Sequence, residues 1–310
     1  MRKKAIIVGC QGQDGTLLSE FLAKKDYEVI GIDLGVIKSN IGKWTKESFN
    51  ICCFEDVNKL VSFIKPDEVY YLAAYHHSSE DKEFSISDLL EKSYQINVYG
   101  LVNFLEAIKE NSLKTKIFYA SSSLVFGDSA KNPQTEETPL NPSCIYGVTK
   151  VSAMHLCGFY REKFSMFISI GVLYNHESHL RKENFISQKI ISSVKRIKEG
   201  LQDELVIGDL NAETDWGYAG DYVEAMWRIL QIDVPETFIV ATGKTHRVLD
   251  WIRLAFEKVG LNWEQYVRED SSLLKRKKAI LVGDGSKLFR YTGWEPKTSF
   301  EEMVSLMMKN

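Results

Sequence analysis

Short runs of β-branched and aliphatic residues alternate, through the first half of the chain, with longer stretches whose apolar positions recur at helical spacing. The short runs predict strands over 5–8, 28–32, 50–53, 69–72, 116–120 and 167–172. Helices are predicted between them near 15–25, 57–64, 92–111 and 143–163. The second of these ends at Lys65-Pro66, where the proline keeps the residue before it out of helical geometry. Alternation of this kind marks βαβ units and a parallel sheet covered on both faces. Beyond about residue 175 the rhythm loosens into loops, short strands over 204–207 and 237–240, and helices over 184–199, 219–230 and 248–258. The expected fold class is α/β: a Rossmann-type doubly wound parallel sheet with a smaller C-terminal substrate-binding lobe. We expect the sheet domain to span 1–172, with chain re-crossings at about 210–245, and the lobe to be formed mainly by 173–310.

Gly9-Cys10-Gln11-Gly12-Gln13-Asp14-Gly15 follows the first strand and opens the first helix. Glycines at Gly9, Gly12 and Gly15 permit a tight turn and let backbone N–H groups approach a pyrophosphate at the helix N-terminus. Gln13 and Asp14 belong to the same loop. Asp33 ends the second strand, where a carboxylate accepts hydrogen bonds from the adenosine ribose and repels a 2′-phosphate, so NAD is favoured over NADP.

Farther along, Tyr146 and Lys150 lie one turn apart on a predicted helix, and Ser122 stands at the end of a predicted strand. A phenol of pKa about 10 needs to fall toward ~7 for useful acid/base work, roughly 4 kcal/mol of differential stabilisation. A lysine ammonium and a cationic nicotinamide are expected to supply it. The bland alternative, a surface tyrosine and lysine, is weakened by the glycine loop and the serine cluster in the same chain.

Bulk properties narrow the field. The 310 residues are 44% hydrophobic and 26% charged, with net charge −3, so nothing draws the chain generally to nucleic acid or an anionic membrane. No apolar run approaches the ~20 residues that span a bilayer, and the basic start Met1-Arg2-Lys3-Lys4 reads as the approach to a strand rather than a leader. Five cysteines without CxxC spacing point to free thiols and a cytoplasmic location. Histidine spacing gives no metal motif, and none is expected.

Ala120-Ser121-Ser122-Ser123-Leu124-Val125-Phe126-Gly127 together with Tyr146-Gly147-Val148-Thr149-Lys150 resembles the active-site signature of the extended short-chain dehydrogenase/reductase (NAD-dependent epimerase/dehydratase) family. Leu173 to Ser178, Glu183 to Ile190 and Gly208 to Ala219 are similar to the GDP-mannose 4,6-dehydratase branch of it. The resemblance implies Ser122, Tyr146 and Lys150 as catalytic, with Lys150 also holding the nicotinamide ribose. It implies Asp56 at the adenine and Leu72, Ala73 and Ala74 beneath the cofactor. A GDP-sugar would meet Ser123, Leu124, Asn175, Asn184, Phe185 and Lys189.

Departures from that branch qualify the expectation. Leu124 occupies the position of the dehydratases' glutamate, which removes the C5 proton, and leucine has no proton to give or take. Asp33 replaces a basic region, and Thr214 replaces a diphosphate-binding arginine; the run Lys275, Arg276, Lys277, Lys278 is either a substitute phosphate contact or a solvated loop. The implied activity is therefore an NAD-dependent oxidoreductase at C4 of a GDP-manno-hexose or GDP-manno-heptose, acting as 4-dehydrogenase or 4-keto reductase. A 4-epimerase is the neighbouring alternative. Dehydration is a third, with His76, His77, Glu80 or Asp128 as a displaced base, and a non-catalytic sensor is a fourth. Relatives pair through the helices near 92–111 and 143–163, so a homodimer or homotetramer is expected.

Overall fold

The computed structural model describes residues 2–34, 36–39, 49–76, 85–273 and 280–309. Its first half builds the large sheet from β1 (Lys4–Val8), β2 (Glu28–Asp33), β3 (Val36–Ser39), β4 (Glu68–Tyr71), β5 (Lys116–Ser122) and β6 (Ile168–Leu173). Between these strands lie α1 (Gln13–Lys24), α2 (Phe54–Ile64), α3 (Ile86–Tyr94), α4 (Gly100–Asn111) and α5 (Ile145–Phe164). The second half holds β7 (Asn175–Glu177), α6 (Ile186–Lys198), β8 (Leu205–Ile207), β9 (Glu213–Tyr218) and α7 (Ala219–Gln231). It continues through β10 (Thr237–Val240), β11 (Thr245–Arg247), α8 (Val248–Val259), β12 (Val267–Glu269), α9 (Ser286–Thr292) and α10 (Phe300–Lys309).

The seven-stranded sheet runs β10-β6-β5-β4-β1-β2-β3. Every pair is parallel except β2 with β3. Strands buried on both faces read as continuous apolar runs, and Ala5 to Val8 and Val69 to Tyr71 are at most 1% exposed. The order reverses beside β1, so the loops after β1 and β4 open at the switch point where α/β sheets bind ligands. After β6 the chain leaves for β7 and α6 and then returns: α7 packs on α1, and β10 pairs with β6. A separate apolar cluster from α6, β8, α8 and α10 centres the C-terminal lobe, with Trp216 and Trp251 inside it.

Two expectations fail in instructive ways. The strand expected at 50–53 is absent: the Asn50 side chain accepts the Cys52 N–H at 2.9 Å, and its carbonyl accepts the Cys53 N–H at 3.0 Å. That local turn outcompetes a ladder, and Cys53 becomes the N-cap of α2. The antiparallel β3 takes the place in the sheet. The helix expected near 92–111 begins instead at Ile86, where the Ser85 hydroxyl caps by accepting the Asp88 N–H at 3.0 Å. It passes through a π-helical turn at Gln95–Tyr99 before becoming α4.

Candidate active site

At the cofactor end the chain turns sharply out of β1 at Gly9, whose φ of +96° suits glycine. A β-carbon on Gly9 would lie 2.9 Å from the Ala73 nitrogen, and one on Gly15 would lie 2.1 Å from the Gly9 carbonyl oxygen. The loop and the Leu72-Ala73-Ala74 segment are thus packed backbone against backbone. Gly12 is the N-cap of α1 and gives it no side-chain acceptor, leaving a helix N-terminus suited to an anion. Asp33 closes β2, its carboxylate accepting the Gln11 N–H at 2.7 Å and the Leu34 N–H at 2.8 Å. A bare backbone cradle, a helix N-terminus and an acid at the next strand end fit a dinucleotide. Asp56 lies in the first turn of α2 and accepts the Asn50 N–H at 3.3 Å.

The side chains of Gln13 and Asp14 turn toward the lobe. Gln13 donates to the His176 carbonyl at 3.0 Å and accepts from the Ser178 hydroxyl at 2.9 Å. Asp14 meets His176 Nε2 at 2.9 Å, while His176 Nδ1 meets the Tyr174 carbonyl at 2.6 Å. Both ring nitrogens face oxygen acceptors, an arrangement that favours the imidazolium, and the ring stacks on Tyr222 with centroids 4.6 Å apart. Burial works against either charge, but the pairing prevails: Asp14 is drawn below its ordinary pKa and His176 raised above its own.

Two of the three residues expected to be catalytic, Tyr146 and Lys150, lie on α5, and the third, Ser122, lies at the end of β5. The N-cap of α5, Cys144, accepts the Gly147 N–H through sulfur at 3.4 Å. Lys150 Nζ lies 5.5 Å from the centroid of the Tyr146 ring and donates to the Ala120 carbonyl of β5 at 2.7 Å. Ser122 ends β5, and its hydroxyl accepts the Leu124 N–H at 3.3 Å. Leu124 rests against the first turn of α5, because a β-carbon on Gly147 would lie only 2.7 Å from its carbonyl oxygen. Ser123 is buried beside it. The expected lysine-driven lowering of the Tyr146 pKa is not what the protein alone produces. Burial pushes the phenol well up and the Lys150 ammonium down to about 7, and the cation that pulls Tyr146 the other way is Arg181.

On the sugar side, Asn175 is exposed at the start of β7, while Asn184 and Phe185 lead into α6, and Lys189 lies in its first turn. The Arg181 guanidinium stacks 3.7 Å above the Phe185 ring, and Phe185 faces His76 with centroids 5.5 Å apart. His76 in turn meets Tyr146 edge to face at 4.8 Å. Of the displaced-base candidates, His76 therefore reaches the reactive tyrosine. Asp128 is exposed beyond Gly127, whereas His77 and Glu80, like the run Lys275 to Lys278, lie outside the described residues.

Three residues escaped sequence reasoning. Asn97, in the π-helical turn, accepts the Tyr75 N–H at 2.7 Å and donates to Thr149 Oγ1 at 2.9 Å, tying the loop after β4 to α5. A π turn in an otherwise regular helix is itself a frequent mark of a functional site. His176 gave no signal in spacing because Asp14 and Tyr222 are distant in sequence, and Arg181, paired with Glu177 at 3.2 Å and stacked on Phe185, belongs to no motif the sequence singled out.

Among the described residues, no helix is long and apolar enough to cross a membrane. The family model described as GDP-mannose 4,6 dehydratase matches residues 6–307. GDP-mannose 4,6 dehydratase 1 of Arabidopsis thaliana is 37% identical over 327 residues, covering 99% of this chain and 89% of that one. The Homo sapiens enzyme is 33% identical, with 99% and 91% covered. Among solved structures, RMD from Pseudomonas aeruginosa complexed with NADPH superimposes with a TM-score of 0.85 at 21% identity, covering 99% and 98% of the two chains. The Thermus thermophilus UDP-glucose 4-epimerase complex with NAD gives 0.81 at 21% identity, with the same coverage, and both likenesses speak to fold. The chain belongs to the GDP-mannose 4,6-dehydratase family.

Proposed function

We propose that this protein is an NAD-dependent oxidoreductase acting at C4 of a GDP-sugar, a manno-hexose or manno-heptose, as a 4-dehydrogenase or in reverse as a 4-keto reductase. Family membership supports the substrate class. The observation that carries the choice of reaction is Leu124, held against the turn that bears Tyr146, where a dehydratase would need a group able to carry a proton. Losing one positioned acid/base group typically costs ~10²–10⁴ in rate.

In this reading a bound NAD supplies the hydride acceptor. Tyr146 takes the C4 hydroxyl proton, Ser122 hydrogen-bonds the same hydroxyl, and Arg181 opposes the cost of charging the half-buried phenol. Lys150, fixed on the Ala120 carbonyl, would hold the nicotinamide ribose. The uncapped start of α1 and the Gly9 turn would hold the pyrophosphate, and the Asp33 carboxylate favours NAD over NADP. Asn175, Asn184, Phe185 and Lys189 would meet the GDP-sugar. Displaced-base dehydration is the second reading, and only the contact of His76 with Tyr146 favours it. We propose in addition that two copies associate through α3 to α5, where Ile86, Tyr99 and Phe159 are 72%, 58% and 48% exposed.

Stopped-flow absorbance of the reduced nicotinamide on mixing NAD-loaded protein with GDP-mannose or GDP-manno-heptose tests the C4 step. Tyr146→Phe is expected to lower kcat at least ~100-fold with little change in KM. A variant as fast as the wild type would remove the tyrosine, and this mechanism with it.

A further inference from the structure

A carboxylate stands at the one helix end where a dinucleotide needs none. Asp14 lies in the first turn of α1, beside the bare Gly12 N-cap. The helix dipole favours a negative charge in that turn, and for the same reason Asp14 competes with any other anion brought there. The fold turns it away and covers it. Its Oδ1 accepts from the Gln13 amide at 3.1 Å, and its Oδ2 meets His176 Nε2 at 2.9 Å. His176 is 8% exposed, its Nδ1 is held 2.6 Å from the Tyr174 carbonyl, and its ring lies against Tyr222 of α7. The imidazole is therefore fixed from two elements and aimed at the carboxylate.

Resting on the placement of the pyrophosphate at α1, we infer that His176 is a positioning residue for the dinucleotide: its imidazolium cancels the Asp14 carboxylate, so that this helix end presents no uncompensated negative charge to the pyrophosphate. With the ring neutral, the Asp14 anion would repel the phosphates from the turn meant to receive them, the more strongly for being partly buried. The other charged and titratable groups around the pair do not replace the imidazolium. Arg181 favours the Asp14 charge and opposes that of His176, but its guanidinium is engaged by Glu177 at 3.2 Å. Glu177, next to His176 in β7, also accepts the Ser187 hydroxyl at 2.6 Å. Tyr222 is kept neutral by burial, and Tyr146 on α5, raised by burial, is raised further by the Asp14 charge. Burial opposes the imidazolium too, yet Asp14 holds the His176 pKa above its ordinary value. The cation is complete below that raised value and is lost as pH climbs through it, so dinucleotide affinity falls over the same range. By reciprocity, bound NAD makes His176 harder to deprotonate.

Calorimetric titration of NAD into the full chain, from mildly acidic to alkaline pH, tests this with wild type, His176→Gln, Asp14→Asn and the double variant. At mildly acidic pH His176→Gln is expected to weaken NAD binding ~10-fold, a coupling of ordinary size, and the deficit should shrink as pH rises and the wild type loses its own proton. Removing the anion as well should repair the loss, bringing the double variant close to wild-type affinity. Asp14→Asn alone is expected to bind NAD at least as tightly as wild type at alkaline pH. Should His176→Gln fail to fold, Asp14→Asn, which keeps the shape of the contact, decides alone. A double variant as weak as His176→Gln, or an Asp14→Asn variant weaker than wild type at alkaline pH, overturns the charge role and leaves the cofactor reading standing. Gly12→Asp tests that reading separately, since φ of −69° and a β-carbon 3.4 Å from the Gly9 carbonyl oxygen admit the side chain while adding a carboxylate at the same end. It is expected to weaken NAD binding sharply; unchanged affinity would move the pyrophosphate elsewhere and overturn both.

Discussion

Tyr146 and Lys150 share one face of α5 beneath the cleft, and burial drives both toward their neutral forms. The folded pKa of Lys150 is lowered from 10.5 to about 7, so between those values the unfolded chain binds the extra proton and stability rises with pH. Below about 7 the full cost of a buried ammonium remains. Lys150→Met should accordingly stabilise the cofactor-free protein at neutral pH by a few kcal/mol, an advantage that shrinks as pH rises toward 10.5. Urea unfolding at neutral and alkaline pH checks this; equal gains at both would mean the ammonium carries no burial cost. A buried lysine that served stability alone would be better replaced by an apolar chain, which supports the proposed ligand-binding role of Lys150.

At the scale of elements, the site depends on clamps between segments far apart in sequence. Asn97 is fully buried and serves both the loop after β4 and α5, so Asn97→Ala leaves the Tyr75 N–H without that acceptor. The expected loss is about 1–3 kcal/mol in denaturant unfolding, with a fall in activity larger than in Tyr75→Phe, which keeps the backbone contact. A variant as stable and active as the wild type would show the clamp to be incidental. What the sequence made legible follows the same division. Period and spacing place Tyr146, Lys150 and the glycine loop on the right elements, because helix face and strand end are local properties. The misplaced strand at 50–53 arose because Ile51-Cys52-Cys53 looks extended while the Asn50 side chain imposes a turn. Strands as short as β7, β11 and β12 carry no period long enough to read. Asn97 and His176 acquire meaning only when tertiary structure delivers Tyr75, Thr149 and Asp14.

For the whole molecule, the two halves are not independent units hung on a linker. The chain returns to the large sheet through α7 and β10, and the Asp14–His176 and Gln13–Ser178 contacts fasten the cofactor loop to the start of the lobe. Contacts of this kind fix the offset between the cofactor loop and the start of the lobe, which the proposed hydride transfer would require. The exposed apolar side chains on α3 to α5 are expected to be covered by a second copy, giving a light-scattering mass about twice the 35.5 kDa chain; Tyr99→Arg should shift it toward one chain, and a wild-type monomer would contradict the pairing. The proposed reaction, oxidation or reduction at C4 without expulsion of water, is narrower than family membership. Mass spectrometry of the product formed from GDP-mannose and GDP-manno-heptose with NAD and a reoxidant tests it most directly. A product lighter by two hydrogens is the predicted result, and a product lighter by one water would contradict it.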